Sequence, residues 1–374
     1  MNSKHSIAVI VPGGLGAHEN IPVLLGLLGR LSAKFDVSIY SFSSLEFHPS
    51  LLMASCTITT APRLLRSNLM KAIYFIWRIR KDHKARPFVI IHGFWIMLQG
   101  VAAVLSGKIL NIPSVVTLPG GDATYIPSIR YGSLSNPVHK MLAAWCIRHA
   151  SRIVMLTRFQ QAMMQSYGIS KEQISIIPYG VDVNKFQYRP HPFSKPLQLI
   201  SIGNLNSVKD PFTLMKTFST LSRRQDCRLT VIGSDMMNGK VQDYARELGV
   251  YEKIRWEGKL KYNDIPSALS SADILLISSL YEGQAVVVLE AFASGVIVVG
   301  TNVGLLADLG DHNVTAPPGD AAALTNIMEE LIRQPEKIHS LQTKNRSTAE
   351  QYSDEWTLGE YLKLYGELIA LHQS

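Results

Sequence analysis

Cysteine is scarce, with 3 in 374 residues at Cys56, Cys146 and Cys227. An odd set of scattered thiols excludes a disulfide framework and points to reduced cysteines in a cytoplasmic setting. The spacings that hold metals are missing too: there is no D-x-D, no C-x-x-C and no H-x-x-x-H. Serine-hydrolase and P-loop signatures are likewise missing. The opening MNSKHSIAVIV runs straight into a strand pattern, without a signal-peptide core or cleavage site, so export is not expected. One uncharged run, Phe88 to Gly107, has the length of a bilayer span. His92, Gly93, Gln99 and Gly100 break it, and it divides into a strand (Phe88 to Ile91) and a helix (Trp95 to Leu105). Acidic residues are few in the first half. Residues 1–190 carry 20 lysines and arginines against 7 acidic residues, a net of +13, whereas the remainder carries 17 against 22, a net of −5. The first half is therefore the one expected to meet an anionic partner.

What is present is a globular composition, 47% hydrophobic and 18% charged, in a chain long enough for two domains. Its organising stretch is Ser278 to Gly295, SSLYEGQAVVVLEAFASG, set between the apolar runs Ile274 to Ile277 and Val296 to Val299. Short β-branched runs around a segment of helical length predict strand, loop, helix, strand in a parallel sheet. The predicted helix is apolar nearly all round, yet it contains Glu290. A buried carboxylate costs several kcal/mol unless it has partners, and a pair of ligand hydroxyls is one way to supply them. Glu282 falls in the loop at the carboxyl end of the strand, where open α/β sheets bind ligands. The amides at the N-terminus of the following helix are placed to face an anion there.

The segment resembles the E-x7-E signature of glycosyltransferase family 4, retaining enzymes of the GT-B fold. That resemblance implies two Rossmann-like parallel-sheet domains facing across a cleft, with the C-terminal helix crossing back onto the first. It implies that Glu282 contacts the donor sugar and Glu290 the nucleotide ribose. Further segments carry the likeness. GNLNSVKDP (Gly203 to Pro211) matches the family's G-R-L-x-x-x-K-G, in which arginine and lysine neutralise the donor diphosphate. Lys209 is kept, while Asn204 replaces the arginine and Asp210 the glycine, so one cationic contact is lost. SVVTLPGGD (Ser114 to Asp122) matches a loop read as H-G-x-D in the family, with Pro119 in place of the histidine and Asp122 retained. IPYGVD (Ile177 to Asp182) resembles the family's I-P-N-G-V-D, and GTNVGLLADL has Leu305 where a second glycine is usual.

The remaining motifs are weaker. Gly13, Gly14 and Gly16 follow the first strand and precede an apolar helix pattern, Ile21 to Leu31. They read either as a tight turn or, as the resemblance implies, as a loop near the donor phosphates, with His18 and Glu19 on the acceptor side. His92 ends a strand and reads more readily as a core histidine than as a catalyst. Arg63 to Arg86 interleaves eight basic residues with Leu64, Leu65, Leu69, Ile73, Phe75, Ile76 and Trp77, an amphipathic helix that reads either as a domain helix with its apolar side in the core and its basic side wet, or as one suited to a lipid interface. No nucleic-acid motif accompanies it. Tyr188 to Pro196, with three prolines, predicts the linker, giving domains 1–187 (with 355–374) and 188–354.

The resulting expectation is a metal-independent retaining glycosyltransferase of surface-polysaccharide or lipopolysaccharide biosynthesis, cytoplasmic or peripheral on the inner membrane face. Its donor would be a nucleoside-diphosphate sugar and its acceptor a glycan or lipid-linked sugar. Glu282, Lys209 and Asp122 are the catalytic candidates. Glu290, residues Gly283 to Val286, Asn204, Gly14 and Gly16 are the donor-binding candidates. A sugar-nucleotide epimerase of the same fold and a non-catalytic GT-B binding module remain as alternatives.

Overall fold

A computed structural model describes residues 4–13, 22–43, 56–165, 173–310 and 314–373. The chain forms two compact units, Met1–Tyr179 with Asp354–Ser374, and Gly180–Ser353. Unit 1 is built on β1 (Ser6–Val11), β2 (Asp36–Ser41), β3 (Cys56–Thr60), β4 (Phe88–Phe94), β5 (Ser114–Leu118), β6 (Arg152–Met155) and β7 (Ile174–Ile176). These pair in parallel in the order β3-β2-β1-β4-β5-β6-β7. Unit 2 is built on β8 (Leu197–Ile202), β9 (Cys227–Ile232), β10 (Ile254–Gly258), β11 (Ile274–Ile277), β12 (Ile297–Thr301) and β13 (Thr315–Ala316), parallel in the order β10-β9-β8-β11-β12-β13.

Parallel strands are covered on both faces, so their sequences are continuous apolar runs rather than alternating ones. Every residue of β1 and of β11 is buried accordingly. In each sheet the chain steps outward from its first strand, then returns to that strand's other side. The order therefore reverses between β1 and β4 and between β8 and β11, the positions at which such sheets bind ligands.

The crossovers from β3 to β6 run in one direction and, being right-handed, put their helices on one face. There Asn68–Ala85 packs on Leu98–Leu110, which packs on Pro137–His149. The opposite step from β1 to β2 puts Pro22–Ser32 on the other face, where the terminal helix Asp354–Gln373 lies against it and Arg30 pairs with Asp354. The C-terminal helix thus belongs to unit 1, while the preceding helix, Pro335–Gln351, packs on Val287–Ser294 of unit 2.

Two local features differ from the sequence reading. The division between units falls within IPYGVD, at Tyr179 and Gly180, and the proline-rich segment 188–196 belongs to unit 2. The reason is that Asp273, buried in unit 2, accepts hydrogen bonds from the Ser194 backbone N–H and hydroxyl at 3.0 and 3.1 Å. The uncharged run is split between β4, which continues to Phe94, and the helix Leu98–Leu110. No helix among the described residues is long and apolar enough to cross a membrane.

Candidate active site

The loops after β8 and β11 flank the reversal point of the second sheet. Gly203 begins the first at φ +154°, and a Cβ on Gly233 would lie 2.0 Å from the Gly203 carbonyl oxygen, so the neighbouring loop after β9 approaches closely only as glycine. Asn204 accepts a hydrogen bond from the Ser234 N–H at 3.0 Å, tying these two loops together. Asp210 stands at φ +43°, in the left-handed region. Aspartate tolerates that conformation, and its carboxylate caps the helix Pro211–Ser222 through the Thr213 N–H. The turn before it presents Lys209.

The loop after β11 is locked to the same turn. Ser278 donates to the Lys209 carbonyl at 2.8 Å and the Leu280 N–H to the Val208 carbonyl at 2.7 Å. The Lys209 ammonium meets Glu282 Oε1 at 2.5 Å, and the Ser279 hydroxyl donates to the same oxygen at 2.6 Å. Lys209, Glu282, Asn204, Ser279 and Val287 line one crevice. Gln284 is buried and its carbonyl accepts from the Leu305 N–H at 3.0 Å. Ala285 is held at φ +64°, a strained conformation for a residue with a Cβ. From there Val286 leads into the helix Val287–Ser294, whose N-terminus no side chain caps.

Glu290 lies in that helix, buried, and does not line the crevice that holds Glu282 and Lys209. Burial pushes its carboxyl up to about 7, against the pull of a hydrogen bond from the Tyr262 side chain and of the Lys185 charge. Lys185 is itself fixed: its ammonium donates to Asn263 Oδ1 at 2.8 Å and sits 3.7 Å from the centre of the Tyr262 ring.

The candidates in unit 1 are arranged differently. Gly13 stands at φ +119°, and a Cβ there would lie 1.9 Å from the Ser43 hydroxyl, so this turn requires glycine. Gly14, Gly16, His18 and Glu19 lie outside the described residues. Asp122 braces two loops, accepting from the Ile96 N–H at 2.9 Å and the Gly120 N–H at 3.2 Å. Burial raises its carboxyl to about 7 despite these bonds. His92 is a core residue: its ring nitrogens meet the Tyr365 hydroxyl at 2.6 Å and Thr117 Oγ1 at 2.8 Å, and Thr117 meets Tyr361 at 3.0 Å. Burial lowers the His92 ring to about 3, so it stays neutral.

Comparison with known proteins places this arrangement. Residues 23–185 match the model of Glycosyltransferase Family 4, and residues 184–348 match that of Glycosyl transferases group 1. The chain is a GT-B glycosyltransferase of the family 4 type. Glycogen synthase of Mycobacterium tuberculosis (strain H37Rv) is 23% identical over 289 residues, covering 76% of this chain and 68% of that protein. Sucrose-phosphate synthase from Thermosynechococcus elongatus superposes with a TM-score of 0.80 at 17% identity, covering 98% of this chain and 100% of that one. Anabaena HepE, in complex with UDP and glucose, gives a TM-score of 0.78 at 16% identity, covering 97% and 100%.

Sequence reasoning missed three residues at the candidate site of this glycosyltransferase. Lys185 and Tyr262 partner Glu290, and Ser279 orients Glu282. Lys185 stood in view, since it follows IPYGVD within the same run. Tyr262 carries no local signal, because only the fold brings it to the helix. Gly304 adds a fourth: a Cβ there would lie 2.8 Å from Glu282 Cβ, so the loop after β12 packs directly behind that glutamate. Among the described residues, no group of three or more His, Cys, Asp or Glu is placed to hold a metal ion.

Proposed function

We propose that this glycosyltransferase retains configuration while moving a hexose from a nucleoside-diphosphate sugar to a glycan or lipid-linked acceptor of a cell-surface polysaccharide, and that it does so without a metal. The carrying observation is the Lys209–Glu282 pair, set in a crevice beside a helix N-terminus that no side chain caps. A diphosphate entering the crevice takes the ammonium from Glu282 and adds the helix-terminal field. The released carboxylate then accepts from the sugar hydroxyls. HepE, which binds UDP and glucose, supports a donor of this class. Glu290 is assigned to the ribose, whose hydroxyls would add donors to the one it takes from Tyr262.

In the reaction the bond from the anomeric carbon to the phosphate oxygen breaks, and a bond to the acceptor oxygen forms on the same face of the sugar. The departing phosphate oxygen takes the acceptor proton, so no side-chain base is required. Lys209 stabilises the negative charge that grows on that phosphate. Asp122, through Ile96 and Gly120, holds the unit 1 loops in place for the acceptor.

The test is turnover of Lys209→Ala with a panel of sugar nucleotides and acceptors, with the product anomer read by NMR. Loss of an electrostatic contact made in the transition state predicts a fall in kcat of about 100-fold or more, with an anomer matching the donor. Wild-type kcat in the variant, an inverted anomer, or conversion of donor without acceptor would each defeat the reading.

A further inference from the structure

The helix Asn68–Ala85 presents two unlike faces. Its inner face, Ala72, Phe75 and Ile79, is buried in the unit 1 core. Phe75 is wedged there between Tyr40 and Phe42. Its outer face carries Leu69, Ile73 and Trp77, spaced four apart and exposed to 58%, 59% and 55%, with Met70 beside them and Leu64, exposed to 91%, just before the helix. A core-facing pattern explains only the first set. Large side chains in water on a second stripe need another account, because soluble surfaces rarely gather them in one patch.

The charges on the same face complete the picture. Arg80 and Lys84 fall within the sector of Leu69, Ile73 and Trp77 on the helix, and Arg66, exposed, lies just before the helix N-cap. Lys81 lies against Trp77, its ammonium 5.6 Å from the ring centre. The one acidic residue of the helix, Asp82, points away from this face: it accepts from Arg78 at 2.9 Å and from the Tyr40 hydroxyl at 3.0 Å. The outer face is therefore apolar and cationic, with its carboxylate withdrawn.

We infer that this face docks on an anionic lipid bilayer, with Leu69, Ile73 and Trp77 entering the headgroup boundary and Arg66, Arg80, Lys81 and Lys84 meeting lipid phosphates. A protein partner of matching shape would need acidic groups set between apolar ones. A bilayer offers both everywhere, and the long basic side chains reach phosphates while their stems cover the apolar boundary. Two helices along on the same side of the unit 1 sheet, Pro137–His149 also exposes apolar side chains, Val138 and Met141. The inference is independent of the proposed reaction, because it concerns a face remote in sequence from the donor crevice and is read without turnover.

The experiment is co-sedimentation of the full chain with vesicles of phosphatidylcholine and phosphatidylglycerol in equal parts, against phosphatidylcholine alone. The expected result is binding to the mixed vesicles only, weakened by salt. Each basic residue at such a surface accounts for about fivefold in partitioning, so Arg80→Gln with Lys84→Gln is expected to weaken binding about 30-fold. Tryptophan emission should shift to the blue on adding mixed vesicles, and Trp77→Phe should lose that shift while keeping the circular dichroism of the parent. Equal binding to both vesicle types, or binding and emission unchanged by these variants, would overturn the inference. So would a lipid-free dimer that Trp77→Ala dissociates, which would assign the face to a second copy of the chain.

Discussion

Glu290 is a carboxyl in a place that disfavours charge, and its consequence for stability has a definite sign. Its ordinary value of 4.5 is raised to about 7 in the folded protein, first by burial. The folded state thus keeps a proton that the unfolded chain releases. The stabilisation linked to that proton is fully present below pH 4.5 and is lost as pH rises through about 7. At about 1.4 kcal/mol for each pKa unit, the loss approaches about 3 kcal/mol. Glu290→Gln mimics the protonated form at every pH. Urea denaturation should find the variant equal to wild type near pH 4.5 and more stable by about 3 kcal/mol at pH 8, and parallel profiles would refute the assignment. Donor binding should run the opposite way. If ribose hydroxyls donate to the ionised carboxylate, wild-type donor KM falls as pH rises toward about 7, while the variant's KM is high and flat.

At the scale of elements, two contacts organise the chain. The terminal helix Asp354–Gln373 is fastened to β4 and β5 through His92, Thr117, Tyr361 and Tyr365. Tyr365→Phe leaves one nitrogen of a fully buried imidazole without its partner, which costs about 1–3 kcal/mol. Tyr361→Phe should cost less, since Thr117 still holds His92; chemical denaturation of both variants reads the difference. The second contact is Gly304 against Glu282. Gly304→Ala adds a methyl 2.8 Å from Glu282 Cβ at φ +57°, so Glu282 must shift. A displacement of this kind predicts a fall in kcat/KM of about tenfold or more, with the urea midpoint lowered by strain of about 1–2 kcal/mol. Normal kinetics would show that the site tolerates the movement. These contacts also mark what could be read from sequence. The strands were visible because buried parallel strands are written as apolar runs, and β11 occupies Ile274–Ile277 as predicted. The Lys209 and Glu282 loops were visible because each follows such a run. The His92 partners were not, as Tyr365 lies 273 residues away, and neither was the Tyr262 bond to Glu290, which no spacing encodes.

Across the whole molecule the charge is divided, and the division separates two kinds of anion recognition. Residues 191–374 carry a net −5, so they exert no long-range pull on a diphosphate. Any attraction there must be local, from Lys209 and the helix terminus inside a crevice partly shielded from water. Residues 1–190 carry +13, and the cationic helix face lies in that half, open to solvent. Exposed charges are screened within about 8–10 Å at physiological ionic strength, and enclosed pairs much less. Salt should therefore distinguish the two. Raising it from low to well above physiological strength is expected to strip the protein from anionic vesicles while changing donor affinity, measured by calorimetry, by no more than about threefold. If donor affinity fell as steeply as vesicle binding, the donor would be held by the diffuse cationic field of the first half instead of by Lys209, and the crevice after β8 and β11 would lose its part in recognition.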